Sequence, residues 1–168
     1  MMLIITPASE ARRVCDEAGP SHLLRLISPD FADDMTGLCA DEILTLVMHD
    51  VGAPAPERIA PASEMVQALL EFSRSWNGSR PLVAQCWAGV SRSTAAAFII
   101  ACQKRPDLAE RTLAETLRCA APQATPNRLM VAHADALLGR NGRMLAAAEA
   151  IGRGAEFAAF ASAELNLT

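Results

Sequence analysis

Tyrosine is absent from the 168-residue chain, and lysine occurs once, as Lys104. The remaining basic residues are arginine, none of them gathered into a tract, and the net charge is −4. That balance excludes nucleic acid as an expected partner. The arginine bias fits either a GC-rich genome or planar anion binding, and genome bias is the simpler reading. No apolar stretch is long enough to cross a membrane. The opening MMLIITPASEARR has too short an apolar run for a secretory leader, and its charges follow the run rather than precede it. Five cysteines are present, Cys15, Cys39, Cys86, Cys102 and Cys119, an odd number with no CxxC pair. That spacing excludes a zinc-type cysteine cluster and fits free thiols in a reducing compartment. Repeats and low-complexity tracts are also missing. These absences predict a soluble, cytoplasmic protein without a membrane span.

Hydrophobic residues make up 51% of the chain and charged residues 20%, enough to fill the core of one domain. Strands are predicted at Leu3–Thr6, at His22–Ile27, at about Ile43–His49 and at Leu82–Cys86. A helix follows Pro7, with Ser9 as its N-cap and Gly19 as its stop. Further helices are predicted over about Ala62–Trp76, Leu108–Cys119 and Asn127–Leu138. The helix that begins near Ser93 is apolar all round and should therefore be central. Residues 31–39 and the proline-rich VGAPAPERIAP read as loops. Strands alternating with helices predict an α/β fold: a largely parallel sheet of four to five strands flanked by helices on both faces. The reading is a single domain over 1–168, with 140–168 as a C-terminal helical extension.

In such sheets the functional site lies at the carboxyl ends of the strands. Cys86 closes one strand and Asp50 another. After Cys86 the sequence reads CWAGVSRS, with five residues between Cys86 and Arg92. A short loop between a strand and a helix turns its backbone N–H groups inward as an anion nest, and the helix N-terminus adds positive potential. Gly89 permits the tight or positive-φ geometry such a loop needs. Arg92 offers a planar fork to two oxygens of a phosphate. The same field favours the thiolate of Cys86, a nucleophile with its substrate already placed.

This stretch resembles the signature of the cysteine-based protein tyrosine phosphatases, C-x5-R followed by Ser or Thr, and its SRS ending is similar to the dual-specificity branch, here of bacterial type. The resemblance implies a phosphatase-type fold and a phosphate monoester hydrolase, a protein tyrosine or dual-specificity phosphatase that needs no cofactor or metal. It implies that Cys86 forms a phosphocysteine intermediate and that Arg92 clamps the phosphate. Ser93 would stabilise the departing thiolate, and the backbone of Trp87, Ala88, Gly89, Val90, Ser91 and Arg92 would cradle the oxygens. The family's general acid is an aspartate at a strand end some thirty-odd residues earlier. Asp50 matches that place, with Asp41 and the pair Asp33–Asp34 as alternatives. His49 should point away from Asp50 and act as a packed or surface residue. ATPNRL resembles the family's later Pro-Asn segment, so Asn127 would brace the loop from behind, or simply cap a helix. Arg128 could add positive potential or face solvent.

Two departures matter. The family places histidine before the cysteine, where this chain has Gln85, which exchanges hydrogen bonds but carries no charge. A slower enzyme, or a non-catalytic phospho-ligand binding module, is the consequence. The aromatic recognition loop of the larger tyrosine-specific enzymes also has no counterpart, so Trp87 would line the pocket or pack beneath the loop. A rhodanese-like sulfurtransferase and a redox sensor are weaker readings of the same cysteine. A serine-hydrolase elbow fails because Ser93 stands where glycine is required. The expected partner is a phosphomonoester, a phosphoprotein or a small phosphorylated metabolite. The resemblance spans roughly residues 21–138.

Overall fold

Strands buried on both faces read as near-continuous apolar runs, and two such runs form the middle of the sheet. A computed structural model describes residues 1–31 and 38–167. Its elements in chain order are β1 (Met2–Pro7), a 3-10 turn (Ala8–Glu10), α1 (Ala11–Ala18), β2 (His22–Ile27), β3 (Glu42–Val47), α2 (Ser63–Ser75) and β4 (Leu82–Cys86). These are followed by α3 (Arg92–Lys104), α4 (Glu110–Ala120), α5 (Arg128–Leu137), α6 (Arg143–Ile151), a second 3-10 turn (Glu156–Ala158) and β5 (Ala163–Asn166). The strand order is β3-β2-β4-β1-β5, parallel throughout except for β5, which runs antiparallel to β1.

Alternate residues of the central strands serve two cores. Leu3, Ile5, Leu24, Leu26, Leu82 and Ala84 face the larger core, shared with α2, α3, α4, α5 and α6. Ile4, Leu23 and Val83 face the smaller one, which Val14 and Cys15 of α1 close. Helix α3 is buried along nearly its whole length and is the central helix its composition predicts. The result is the expected α/β sheet with helices on both faces.

Three expectations about the elements are corrected. Ser9 caps no helix: Ala8–Glu10 form a 3-10 turn, and α1 starts at Ala11 without a side-chain cap. Strand β3 stops at Val47, so His49 and Asp50 lie beyond it rather than on its pleat. The tail is helical only through Ile151, and its last residues form edge strand β5 against β1. The sequence AELN has no β preference, and only Leu165 in it is buried; pairing with β1 holds it extended. Gly19 does end α1, in the left-handed conformation at φ 52°.

The helical layer is tied by a buried ionic cluster. Glu110, 7% exposed, receives Arg140 Nη1 at 3.1 Å and Arg143 Nε at 3.2 Å. Burial pushes its carboxyl up, but the backbone at the start of α4, Arg143 and Arg140 outweigh it and hold the carboxyl below the ordinary glutamate range. A group so depressed stabilises the fold above its unfolded value and loses that contribution as pH falls through the folded one. Glu110→Gln is expected to destabilise the fold in urea unfolding near pH 7, and the gap to the wild type should be narrower at acid pH. An unchanged gap at both pH values would show that the cluster's charge contributes nothing.

Candidate active site

The carboxyl ends of β1, β2 and β4 and the segment after β3 meet on one rim. Cys86 is the last residue of β4, 3% exposed, with Sγ 3.0 Å from the Ser93 hydroxyl in the first turn of α3. Between them the chain makes a tight loop whose carbonyls all point away from its centre. Trp87 O accepts from Ala8 N at 3.1 Å, Ala88 O from Phe160 N at 3.0 Å, and Gly89 O from Gln123 Nε2 at 3.5 Å. Val90 O accepts from Thr125 N at 2.9 Å and Ser91 O from Asn127 N at 3.2 Å. Because the peptide unit is planar, a carbonyl held outward turns the next N–H inward. No backbone N–H from Trp87 to Arg92 donates to an acceptor among the described residues. The N-terminus of α3 also has no side-chain cap. The loop is an open anion nest at a helix N-terminus.

Gly89 lies at φ 70°, and a Cβ there would stand 3.1 Å from Pro7 N, so both conformation and space require glycine. Arg92 is 3% exposed. Its Nη1 donates to Ser28 Oγ at 2.9 Å and to the Met48 carbonyl at 2.8 Å. These bonds fix the guanidinium plane, and Nε is left buried without a partner. An orphaned buried donor on a charged group is costly unless a ligand uses it. Arg92 lines a recess of about 40 Å³ together with Cys86, Gln85, Ser28 and the apolar Ala8, Leu26, Ile27, Phe31 and Trp87. That is room for a few waters or one tetrahedral oxyanion.

Asp50 is exposed on the same rim. Its Oδ1 accepts from Ser91 Oγ at 2.7 Å and from Asn127 Nδ2 at 2.8 Å, which leaves Oδ2 without a partner among the described residues. Asn127 makes hydrogen bonds in two directions. Its Oδ1 accepts from Leu129 N and Met130 N and caps α5, while its amide and backbone tie Asp50 and Val51 to Ser91. Asp41 is paired with Arg80 at 2.7 Å just before β3 and β4, at the opposite end of the sheet from Cys86. It cannot serve this rim. Asp33 and Asp34 lie outside the described residues.

His49 is packed, not free. Its Nδ1 accepts from Ile59 N at 2.8 Å, so its proton sits on Nε2, which meets Asp30 Oδ2 at 3.0 Å. Arg128 faces solvent and pairs with Glu149. Trp87 forms a wall rather than a floor: half exposed, it stacks on Phe31 with ring centroids 4.3 Å apart at 22°. Gln85 is 2% exposed, in register with Thr6 and Arg25 on the neighbouring strands, with Oε1 buried and unpartnered.

Ser28, Gln123 and Phe160 were not foreseen. Ser28 had a signal, since it closes β2 at the same carboxyl-end rim; Gln123 and Phe160 had none. Among the described residues no group of acidic, histidine and cysteine side chains could hold a metal ion, and no helix is long and apolar enough to cross a membrane.

Neither the family models nor the curated proteins include a match to this chain. The solved structures do. A human tyrosine phosphatase-like serine/threonine/tyrosine-interacting protein superposes with a TM-score of 0.62 at 18% identity, covering 82% of this chain and 91% of its own. A mouse putative dual specificity phosphatase, solved with zinc tungstate, gives 0.58 at 19% identity, with 89% and 86% covered. PTPMT1, solved with PI(5)P, gives 0.56 at 12% identity, with 79% and 87% covered. The chain has the fold of the dual-specificity branch of the cysteine-based phosphatases.

Proposed function

We propose that the protein hydrolyses phosphate monoesters through a phosphocysteine intermediate on Cys86. The observation that carries this reading is the loop itself: five carbonyls held outward, six N–H groups without acceptors among the described residues, and Arg92 lining one recess with a buried thiol. In the first step the Cys86 thiolate attacks phosphorus and the bond to the leaving oxygen breaks. Asp50, through Oδ2, supplies the proton that oxygen takes. In the second step water attacks phosphorus, its proton goes to the Asp50 carboxylate, and the phosphorus–sulfur bond breaks. The Ser93 hydroxyl, 3.0 Å from Sγ, donates to the departing thiolate. The inward N–H groups and Arg92 stabilise the charge on the equatorial oxygens in both steps. Arg92 and Ser93 in these places support phosphoryl over sulfur transfer.

The recess favours one class of ester. Arg92 is the only cation among its lining residues, and its walls are apolar with a stacked aromatic pair at the mouth. Such a site suits a flat, uncharged aryl group, as in phosphotyrosine, over a polyphosphorylated headgroup. The competing reading, a phospho-ligand binding module, rests on Gln85, where a buried amide replaces the family's histidine.

The test uses phenyl phosphate and para-nitrophenyl phosphate with EDTA present. The wild type is expected to turn over both. Asp50→Asn should lose about 100-fold on phenyl phosphate, whose leaving group needs a proton, and far less on the nitrophenyl ester. Vanadate binding without turnover of either ester would favour the binding module.

A further inference from the structure

The C-terminal segment, residues 154–162, runs along the back of the loop. Gly154 N donates to Thr125 Oγ1 at 3.0 Å and Ala155 N to Pro122 O at 2.8 Å. A Cβ on Gly154 would lie 2.3 Å from Gln123 C and O, so the two backbones are in direct contact. Farther on, Ala161 O accepts from Gln123 Nε2 at 3.2 Å, and Ser162 Oγ meets Thr6 Oγ1 at 2.9 Å. Between them Phe160 adopts φ 63°, a strained conformation for a side chain-bearing residue. Its ring is half exposed, so burial of the ring does not account for the strain. What the conformation delivers is the Phe160 N–H, aimed at Ala88 O.

Resting on the reading of this loop as an oxyanion cradle, we propose that Gln123 and the Phe160 N–H are positioning groups that make the C-terminal segment a working part of the site. The Trp87, Val90 and Ser91 carbonyls are held from Ala8, Thr125 and Asn127. Among the described residues the Ala88 and Gly89 carbonyls are held by Phe160 and by Gln123 alone, whose buried amide spans Gly89 and Ala161. Those two carbonyls belong to the peptide units that carry the Gly89 and Val90 N–H groups. Releasing either carbonyl lets its peptide unit rotate and turns a cradle donor away from the oxyanion. Gly89 is the residue where rotation meets least resistance.

Gln123→Met keeps the length of the side chain and removes its donors. Replacing Phe160 by its α-hydroxy acid exchanges the N–H for an ester oxygen without asking the backbone to leave φ 63°, and keeps the test open should Gln123→Met fail to fold. The measurements are KM and kcat for para-nitrophenyl phosphate, the inhibition constant of vanadate, and the melting temperature. Each variant is expected to raise KM and the vanadate constant about tenfold while melting close to the wild type. Folded variants that bind vanadate as the wild type does would overturn the proposal, even with lower activity. A wild type that neither binds vanadate nor hydrolyses the ester would overturn the cradle reading itself, and this inference with it.

Discussion

Replacing Cys86 by serine is expected to lower kcat on para-nitrophenyl phosphate by about 10⁴-fold or more while leaving the oxyanion cradle intact. The substitution swaps one atom in a residue that is 3% exposed and touches only Ser93 Oγ among polar partners, so the fold has little to lose. No histidine among the described residues lines the recess, so a serine hydroxyl there has no imidazole to take its proton. It would be a weak nucleophile beside a thiolate. The N–H groups of residues 87–92 and the Arg92 fork are untouched, so vanadate should still bind. Residual activity above about 1% of the wild type would place the nucleophile elsewhere.

Arg92→Lys should lower kcat/KM by about 10³-fold despite keeping the charge. The guanidinium does two jobs at once. Nη1 is spent on Ser28 Oγ and Met48 O, while the side chain also lines the recess. A lysine ammonium can satisfy the carbonyl and hydroxyl or reach the recess, but it has no planar fork to do both. Ser28→Ala should cost much less, since Met48 O still holds Nη1. Equal losses in Ser28→Ala and Arg92→Lys would mean that the guanidinium acts only by being anchored.

The loop was legible because every property it needs is local: a strand end, a cysteine, a glycine at the tight point, an arginine opening a helix. Asp50 and Asn127 were singled out only by resemblance to the family's strand-end aspartate and Pro-Asn segment, and the fold brings the two side chains together. The rest acts through backbone groups brought from far along the chain. Ser28 holds Arg92 from 64 residues away, and Gln123 reaches Gly89 from 34. Only its place just after β2 marks Ser28 out, and nothing local marks Gln123. Phe160 contributes an N–H, which every residue but proline has, and only its conformation makes it special. Strand β5 was missed for a related reason. AELN is extended because the edge of β1 is open beside it, not because its residues prefer to be. Ser9 failed as a cap because the chain leaves Pro7 through a 3-10 turn, which moves the helix start to Ala11.

Gln85 is where the sequence departs from the family and where the structure is most pointed. Its amide is buried against Thr6 and Arg25 on the adjoining strands, one residue before the nucleophile. Cys86, Arg92, Ser93 and Asp50 meet on one rim, and among the described residues no imidazole lines the recess beside them.

The central claim is that Cys86 carries the phosphoryl group during turnover. Mass spectrometry of the enzyme, acid-quenched within the first turnovers of para-nitrophenyl phosphate, tests it directly. The account predicts one phosphoryl group per chain, on the peptide that contains Cys86, absent in Cys86→Ser and more abundant when Ser93 is replaced by alanine. Turnover with no phosphoryl group on Cys86, or with one on another residue, would contradict it.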